Sequence, residues 1–174
     1  LPGLSEPHRK GVRAAVIFAS GYAEAGDTGR ARQRELEDFA RATGMVICGP
    51  NCLGVLNFNA RSCGYSSTSP SAVKAGDVAL VSQSGTIVVA MIRSLRGIGF
   101  SHMISSGNEA AVSSADYLNY LVDDPDVKVL ASFIVGVKEP QKFLAAAFTG
   151  SGLSVATPSD SSSTCRSEAR DRAS

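Results

Sequence analysis

Gly76-Asp77-Val78-Ala79-Leu80-Val81-Ser82-Gln83-Ser84-Gly85-Thr86 is the stretch on which the fold turns. The unbroken apolar run from Val78 to Val81 predicts a buried strand, and Ser82 to Gly85 a short polar turn. Thr86 to Leu95 is almost wholly apolar and too long for a strand, which predicts a buried helix. Strand, tight turn and helix aim unpaired backbone N–H groups at one point. Together with the helix dipole they attract an anion, usually a phosphate. Ser82, Ser84 and Thr86 bring hydroxyl donors to the same place, and Gly85 lets a ligand approach the backbone. A purely structural reading stays open beside this one: Ser84 as a helix N-cap and Gly85 as relief of crowding at a strand–helix corner. The run is not a hydrolase elbow, because G-x-S-x-G ending at Gly85 requires Ser where Gln83 stands. Nor does any Gly-Lys-Ser/Thr supply a Walker A loop.

Strands and helices alternate on both sides of that stretch. Val12 to Ala19 predicts a buried strand, Ser20 to Asp27 a loop, and Thr28 to Thr43 a helix with Leu36, Phe39, Ala40 and Thr43 on one face. Gly44 is its C-cap, and Met45 to Cys48 is a short strand closed by Gly49-Pro50-Asn51. Asn57 to Lys74 reads as a loop-rich crossing between two α/β units. After the central turn, Gly97-Ile98-Gly99 stops the helix and Phe100 to Ser105 is the next strand. A helix from Ser114 to Asp123 follows, with Ala115, Leu118, Leu121 and Val122 inward, and Asp124-Pro125 breaks it. Val127 to Val135 predicts another buried strand, and Pro140 to Phe148 a helix with proline in its first turn. The pattern is α/β with a mostly parallel sheet covered on both faces. From Thr149 to Thr164 no period is visible, which predicts loop or disorder.

Composition narrows the function. The 174 residues suit one domain, or one small domain plus a piece of another, and 44% hydrophobic content suffices for a core. A net charge of +1 excludes charge-driven binding to nucleic acid or membrane. No apolar run is long enough for a membrane helix, and Leu-Pro-Gly-Leu-Ser-Glu shows neither a basic n-region nor an apolar h-region, so no signal peptide and a cytoplasmic setting are expected. The start without Met reads as an interior one. Cys48 and Cys52 have no second Cys/His pair to complete a zinc site, so no metal is expected. With Cys63 and Cys165 they read as free thiols in a reducing compartment. The only histidines are His8 and His102. His102 stands in a strand-like alternation, with Phe100 and Ile104 on its own face, and reads as a core or sheet-edge residue.

Three segments, in this order and spacing, point further: Gly49-Pro50-Asn51-Cys52-Leu53-Gly54-Val55, Gly76 to Thr86, and Ser106-Gly107-Asn108-Glu109-Ala110 followed by Asp123-Asp124-Pro125. Together they resemble the nucleotide-diphosphate-forming acyl-CoA synthetases, relatives of the succinyl-CoA synthetase α subunit, over about Gly11 to Ala147. The resemblance implies three parts. Residues 1–60 would be the last part of a Rossmann-like CoA-binding domain, and 61–148 a flavodoxin-like, succinyl-CoA synthetase-like domain. Residues 149–174 would be a polar tail, disordered or aberrant. It implies that Ser20, Gly21 and Tyr22 meet the CoA nucleotide. Asn51, Cys52 and Gly54 would stand near its thiol end and the acyl group. Ser82, Ser84, Gly85 and Thr86 would hold the phosphate of a phosphohistidine intermediate.

Two departures bear on activity. In the family a phosphorylated histidine lies in a Ser-His-Thr-Gly segment after Gly-Arg-Ser-Glu-Ala-Gly. Here Cys165-Arg166-Ser167-Glu168-Ala169-Arg170 resembles that stretch, and the chain stops at Ser174 before such a histidine. The family's Phe-Ile-Glu-Gly-Val carries a Glu that orients the histidine, and this chain has Phe133-Ile134-Val135-Gly136-Val137. Val135 cannot accept a hydrogen bond from imidazole, and a carboxylate at the end of that buried strand would lie unpaired. The resemblance therefore implies part of an acid–thiol ligase that makes acyl-CoA from a small carboxylic acid, CoA and ATP. ATP, ADP, Mg and an ATP-grasp domain or subunit would belong to the longer protein, and no catalytic residue to this chain. Two other readings stand against it. A CoA-sensing regulatory module of a protein acyltransferase is favoured by Val135. A redox Rossmann or flavodoxin-like protein requires a G-x-G-x-x-G after the first strand, and none occurs.

Overall fold

A computed structural model describes residues 2–67, 71, 73–93 and 97–149. The tail from Gly150 onward, with Cys165 to Arg170, and Ser94 and Leu95 of the expected central helix lie outside the described residues. Helix α1 (Pro2–Arg9) leads into strand β1 (Ala14–Val16), a 3-10 turn (Ala23–Ala25), helix α2 (Asp27–Thr43) and strand β2 (Val46–Cys48). β1 and β2 pair in parallel with Ala15 opposite Ile47, the βαβ unit the alternation predicts. Gly44 ends α2 at φ +67° and donates its N–H to the Ala40 carbonyl, as a glycine C-cap does. Leu36 and Ala40 pack with Met45 and Ile47, and Phe39 closes over them. α1 is not foreseen, because its Pro and Gly read as breakers; Leu4 secures it against the same cluster. β1 is shorter and less buried than expected, with Val12 and Phe18 exposed on either side. Its one strand neighbour among the described residues is β2, so apolar content alone does not bury it.

The second unit holds strands β3 (Gly54–Asn57), β4 (Ser62–Tyr65) and β5 (Lys74–Ser82), helix α3 (Gly85–Arg93), strand β6 (Gly99–Ser105), helix α4 (Ser114–Val122), strand β7 (Val129–Phe133) and helix α5 (Pro140–Thr149). Its five-stranded sheet runs β4-β3-β6-β5-β7. β5 pairs in parallel with β6 and with β7, while β3 is antiparallel to β6 and to β4. The loop-rich crossing expected from Asn57 to Lys74 thus contains an edge strand. Ser62 and Cys63 of β4 are exposed, so no inside–outside alternation marked it; pairing with β3 makes it a strand. The boundary placed between residues 60 and 61 falls in the turn of this hairpin.

Successive residues of β5 serve opposite faces. Leu80 joins Leu56, Met103 and, from α3, Val88 and Ile92. Ala79 and Val81 join Ile104, Leu118 and Leu121 of α4, Leu130, and Phe143 of α5. α3 buries one stripe only and leaves Met91 exposed, short of the fully buried helix expected. Phe100 packs with Met103 rather than with Ile104, because β5 shifts register there and both Ala75 and Val78 oppose Phe100. β7 is shorter than predicted and forms one end of the sheet, with Val129 and Val135 exposed. His102 is the expected core histidine. Its Nε2 lies 2.7 Å from Asn57 Nδ2, and its Nδ1 has no hydrogen-bond partner among the described residues. Burial pushes its pKa down, against the opposing pull of Asp124 and Asp126.

Candidate functional site

β5 is where the sheet changes direction: the chain leaves it for β6 on one side and later returns to β7 on the other. Ligands of open α/β sheets bind outside the carboxyl ends of strands at such a switch point, and the Ser82–Gly85 turn stands there. Ser82 Oγ donates to the Ser84 carbonyl at 2.8 Å and accepts the Ser84 N–H at 3.1 Å. Its hydroxyl therefore closes the turn. Gln83 reaches the loop after β7. Its Oε1 accepts the N–H groups of Val135 at 2.8 Å and Gly136 at 3.0 Å, and its Nε2 donates to the Gly136 carbonyl at 2.7 Å. A Cβ on Gly85 would lie 2.8 Å from Leu53 Cγ, so crowding at the strand–helix corner is the reason glycine stands there. Thr86 is exposed in the first turn of α3, whose leading N–H groups have no partner within the helix.

The Gly49–Leu53 loop is brought to this turn by the segment after β6. Asn108 and Ala110 donate their N–H groups to the Pro50 and Gly49 carbonyls, and Ser106 donates to the Ser82 carbonyl, each at 2.9 Å. The stitch needs a glycine at 107: its φ is +63°, and a Cβ would come 2.3 Å from the Pro50 oxygen. Ser105 Oγ then accepts the Leu53 N–H at 3.0 Å. The result is one open cleft of about 600 Å³. Ser20, Asn51 and Cys52 line it from the first unit, Ser84, Gly85 and Thr86 from the second, and Phe18 and Val89 add apolar wall.

The remaining predicted residues stand back from the cleft. Tyr22 packs on the Leu36–Ile47 cluster. Gly54 is buried in β3, where a Cβ would strike the Gly64 oxygen at 1.9 Å, so close strand packing accounts for it. Gly21 borders the cleft through its neighbour Ser20 and is held by a residue the sequence reading missed. Glu24 accepts the N–H groups of Gly21 and Tyr22 on Oε1 and the amide of Asn108 on Oε2. Burial tends to raise the Glu24 pKa, but the Asn108 amide and the two backbone donors outweigh it and bring it to about 2. Asn108 in turn accepts from Asn51 Nδ2 at 3.3 Å. Glu24, Gln83 and Asn108 carried no periodic signal; Gln83 and Asn108 take their roles from partners distant in the chain, and Glu24 joins its near neighbours Gly21 and Tyr22 to distant Asn108.

The Cys48 and Cys52 sulfurs lie 3.9 Å apart, and both thiols are free. Hydrogen bonding from Cys52 lowers the Cys48 pKa, and the same bond with burial pushes Cys52 up. Among the described residues no group of three or more His, Cys, Asp or Glu is placed to hold a metal, and no helix is long and apolar enough to cross a membrane. Val135 is 76% exposed, which overturns the expectation that its side chain lies at a buried strand end.

Residues 75–151 match the family of the succinyl-CoA ligase like flavodoxin domain. The alpha subunit of the ADP-forming acetate–CoA ligase II of Pyrococcus furiosus is 37% identical over 143 residues, which are 81% of this chain and 31% of that protein. A trans-feruloyl-CoA synthase from an unknown prokaryotic organism is 39% identical over 146 residues, 80% of this chain and 20% of that one. The crystal structure of PH0766 from Pyrococcus horikoshii OT3 superposes with a TM-score of 0.83 at 32% identity, covering 91% of this chain and 37% of that chain. The dinucleotide forming acetyl-coenzyme A synthetase 1 of Ca. Korarchaeum cryptofilum, in complex with phosphate and ADP, gives 0.79 at 28% identity, covering 88% and 34%. Over about four fifths of its length this chain is similar to ADP-forming acetate–CoA ligases and a trans-feruloyl-CoA synthase, of which it spans about a fifth to a third, and its residues 75–151 match the succinyl-CoA ligase like flavodoxin domain.

Proposed function

We propose that the chain is a piece of a cytoplasmic acid–thiol ligase that forms acyl-CoA from a small carboxylic acid, CoA and ATP, with ADP and phosphate as products. The observation that carries this reading is the meeting of the Asn51–Cys52 loop and the Ser84–Thr86 turn on one cleft. In it, the first turn of α3 binds a phosphate oxygen through the Gly85 and Thr86 N–H groups, with the Ser84 and Thr86 hydroxyls beside them. Asn51 and Cys52 flank the thiol end of CoA, and Ser20 to Tyr22, held by Glu24, meet its nucleotide. Residues 1–60 then supply the end of a CoA-binding unit, with β3 crossing into the sheet of the flavodoxin-like domain at 61–148. In the whole enzyme an acyl phosphate forms, CoA displaces the phosphate, and a phosphohistidine exchanges it with an ATP-grasp domain that binds the nucleotide with Mg. Dividing one hard displacement this way lowers each barrier. His102 is buried in the sheet and neither it nor His8 lines the cleft, so this chain supplies binding groups and no shuttle.

The test uses the chain itself. Titration with inorganic phosphate should shift the backbone amide resonances of Gly85 and Thr86 first. Incubation with ATP, CoA and acetate should give no acyl-CoA and no acid-labile phosphate on His8 or His102. Phosphohistidine at either position, or phosphate shifts confined to other residues, would overturn the assignment. A second reading, a non-catalytic CoA-sensing module of a protein acyltransferase, is favoured by Val135 in place of the family's Glu. The two part in a longer protein bearing Val135→Glu. Regaining an orienting partner should raise ligase turnover roughly 10–100-fold, whereas a sensor stays at zero.

A further inference from the structure

Two free thiols, Cys48 and Cys52, meet under the cleft. Cys48 closes β2 and Cys52 follows the Gly49-Pro50-Asn51 turn, so the turn folds the two side chains together with 3.9 Å between the sulfurs. Backbone carbonyls also meet the sulfurs, Ser105 O at 3.7 Å from Cys48 and Ile17 O at 3.4 Å from Cys52, and the Tyr117 side chain hydrogen-bonds Cys48 with the Glu109 carboxylate near by. A Cβ at Gly49 would come 2.9 Å from Cys52 Sγ, so the missing side chain keeps that space for sulfur. A disulfide requires a sulfur separation of about 2 Å, so the two sulfurs have to draw together from 3.9 Å to close one. Among the described residues the pair belongs to no group of three or more His, Cys, Asp or Glu placed to hold a metal ion. Cys52 lines the cleft, and Cys48 lies behind it.

We propose that Cys48 and Cys52 are a peroxide-sensing dithiol that closes to an intramolecular disulfide beneath the cleft. The two thiols share a proton once one has ionised. At rest the charge lies on Cys48; when the shared proton passes to Cys48, the Cys52 thiolate attacks hydrogen peroxide entering from the cleft, the O–O bond breaks, hydroxide leaves and takes a proton from solvent as water, and Cys52 becomes a sulfenic acid. Cys48 sulfur attacks the Cys52 sulfur; the S–O bond breaks, the Cys48 proton goes with the departing hydroxide as water, and the S–S bond forms. Both sulfurs are oxidised by one electron each, and one peroxide is reduced to two waters. Closure draws Cys52 off the cleft wall beside Leu53, the residue packed on Gly85. Cys52 also stands at the proposed thiol end of CoA, but the dithiol chemistry needs neither CoA nor the phosphate turn.

Trypsin places both cysteines in one peptide, residues 42–61, and Cys63 in the next. The full chain is treated with hydrogen peroxide, blocked with iodoacetamide under denaturing conditions and digested. Peptide 42–61 should be two hydrogen masses lighter and unalkylated, and dithiothreitol before blocking should restore both alkylation sites, while Cys63 stays alkylated throughout. In Cys48→Ser, dimedone should trap a sulfenic acid on Cys52. A doubly alkylated 42–61 peptide after peroxide, bridges to Cys63 or Cys165 in its place, or no dimedone adduct on Cys52 would overturn the proposal.

Discussion

Gly85 and Val135 carry opposite lessons about single side chains. A methyl group at Gly85 would sit 2.8 Å from Leu53 Cγ, and Leu53 is tethered through its N–H to Ser105 Oγ at 3.0 Å. Gly85→Ala should therefore cost about 1–3 kcal/mol, visible as a lower Tm; an unchanged Tm would show that Leu53 yields freely. At Val135 the side chain is 76% exposed and only its N–H is engaged, by Gln83. Val135→Glu should then leave stability within about 0.5 kcal/mol, contrary to the destabilisation that a buried strand end predicts. A thermal melt decides it, and a loss of several kcal/mol would place the side chain inside. Both residues stood in legible motifs. What their neighbours would be was not legible, because Leu53 and Gln83 reach them from other segments.

α4 shows how an element is anchored beyond its periodicity. Ser113 caps it in a reciprocal box with Asp116, whose carboxylate accepts the Ser113 N–H at 2.8 Å. Lys142 of α5 pairs with Asp116 and with Glu139, which ties the two helices covering one face of the sheet. Burial tends to raise the Asp116 pKa, but Lys142 and the two Ser113 donors outweigh it and hold it below the usual range. Because the folded-state pKa is depressed, this stability is present above the unfolded carboxylate pKa of about 4 and is lost as pH falls through the lower folded value. Ser113→Ala should cost about 1 kcal/mol at neutral pH, and its melting curve should converge on that of the unaltered chain in strong acid. A constant difference across pH would detach Asp116 from the cap. The inward face Ala115, Leu118 and Leu121 was readable from spacing. The α5 contact was not, since it joins residues 26 positions apart.

At the scale of the molecule, the described residues form two sheets joined at the carboxyl ends of their strands. The join runs through the 106–110 segment and through the chain Glu24–Asn108–Asn51. Asn108→Ala should remove the side-chain links to Glu24 and Asn51 and leave the backbone bonds of 106–110 in place. The Glu24 pKa should then rise from about 2 toward the ordinary carboxylate range, followed by the NMR shift of its side chain against pH. The Gly21 and Tyr22 amides should exchange faster while those of β5 and β6 do not. Uniformly faster exchange would mean that Asn108 supports the whole fold rather than the join.

Local pattern was enough for the βαβ alternation, the Gly44 cap, the inward faces of α2 and α4, and the strand–turn–helix at Ser82 to Thr86. These depend on neighbours within one or two turns of chain, where spacing and propensity act directly. It was also enough, through three short motifs, to find the acyl-CoA synthetase relatives. Folding alone decided that β3 and β4 join the second sheet, that Ser82 closes its own turn, that Val135 faces outward, and that Glu24 and Asn108 hold the cleft together. Those outcomes depend on which distant backbone groups come within hydrogen-bond distance, and a strand edge or a buried carbonyl has no signature in the residue that will meet it.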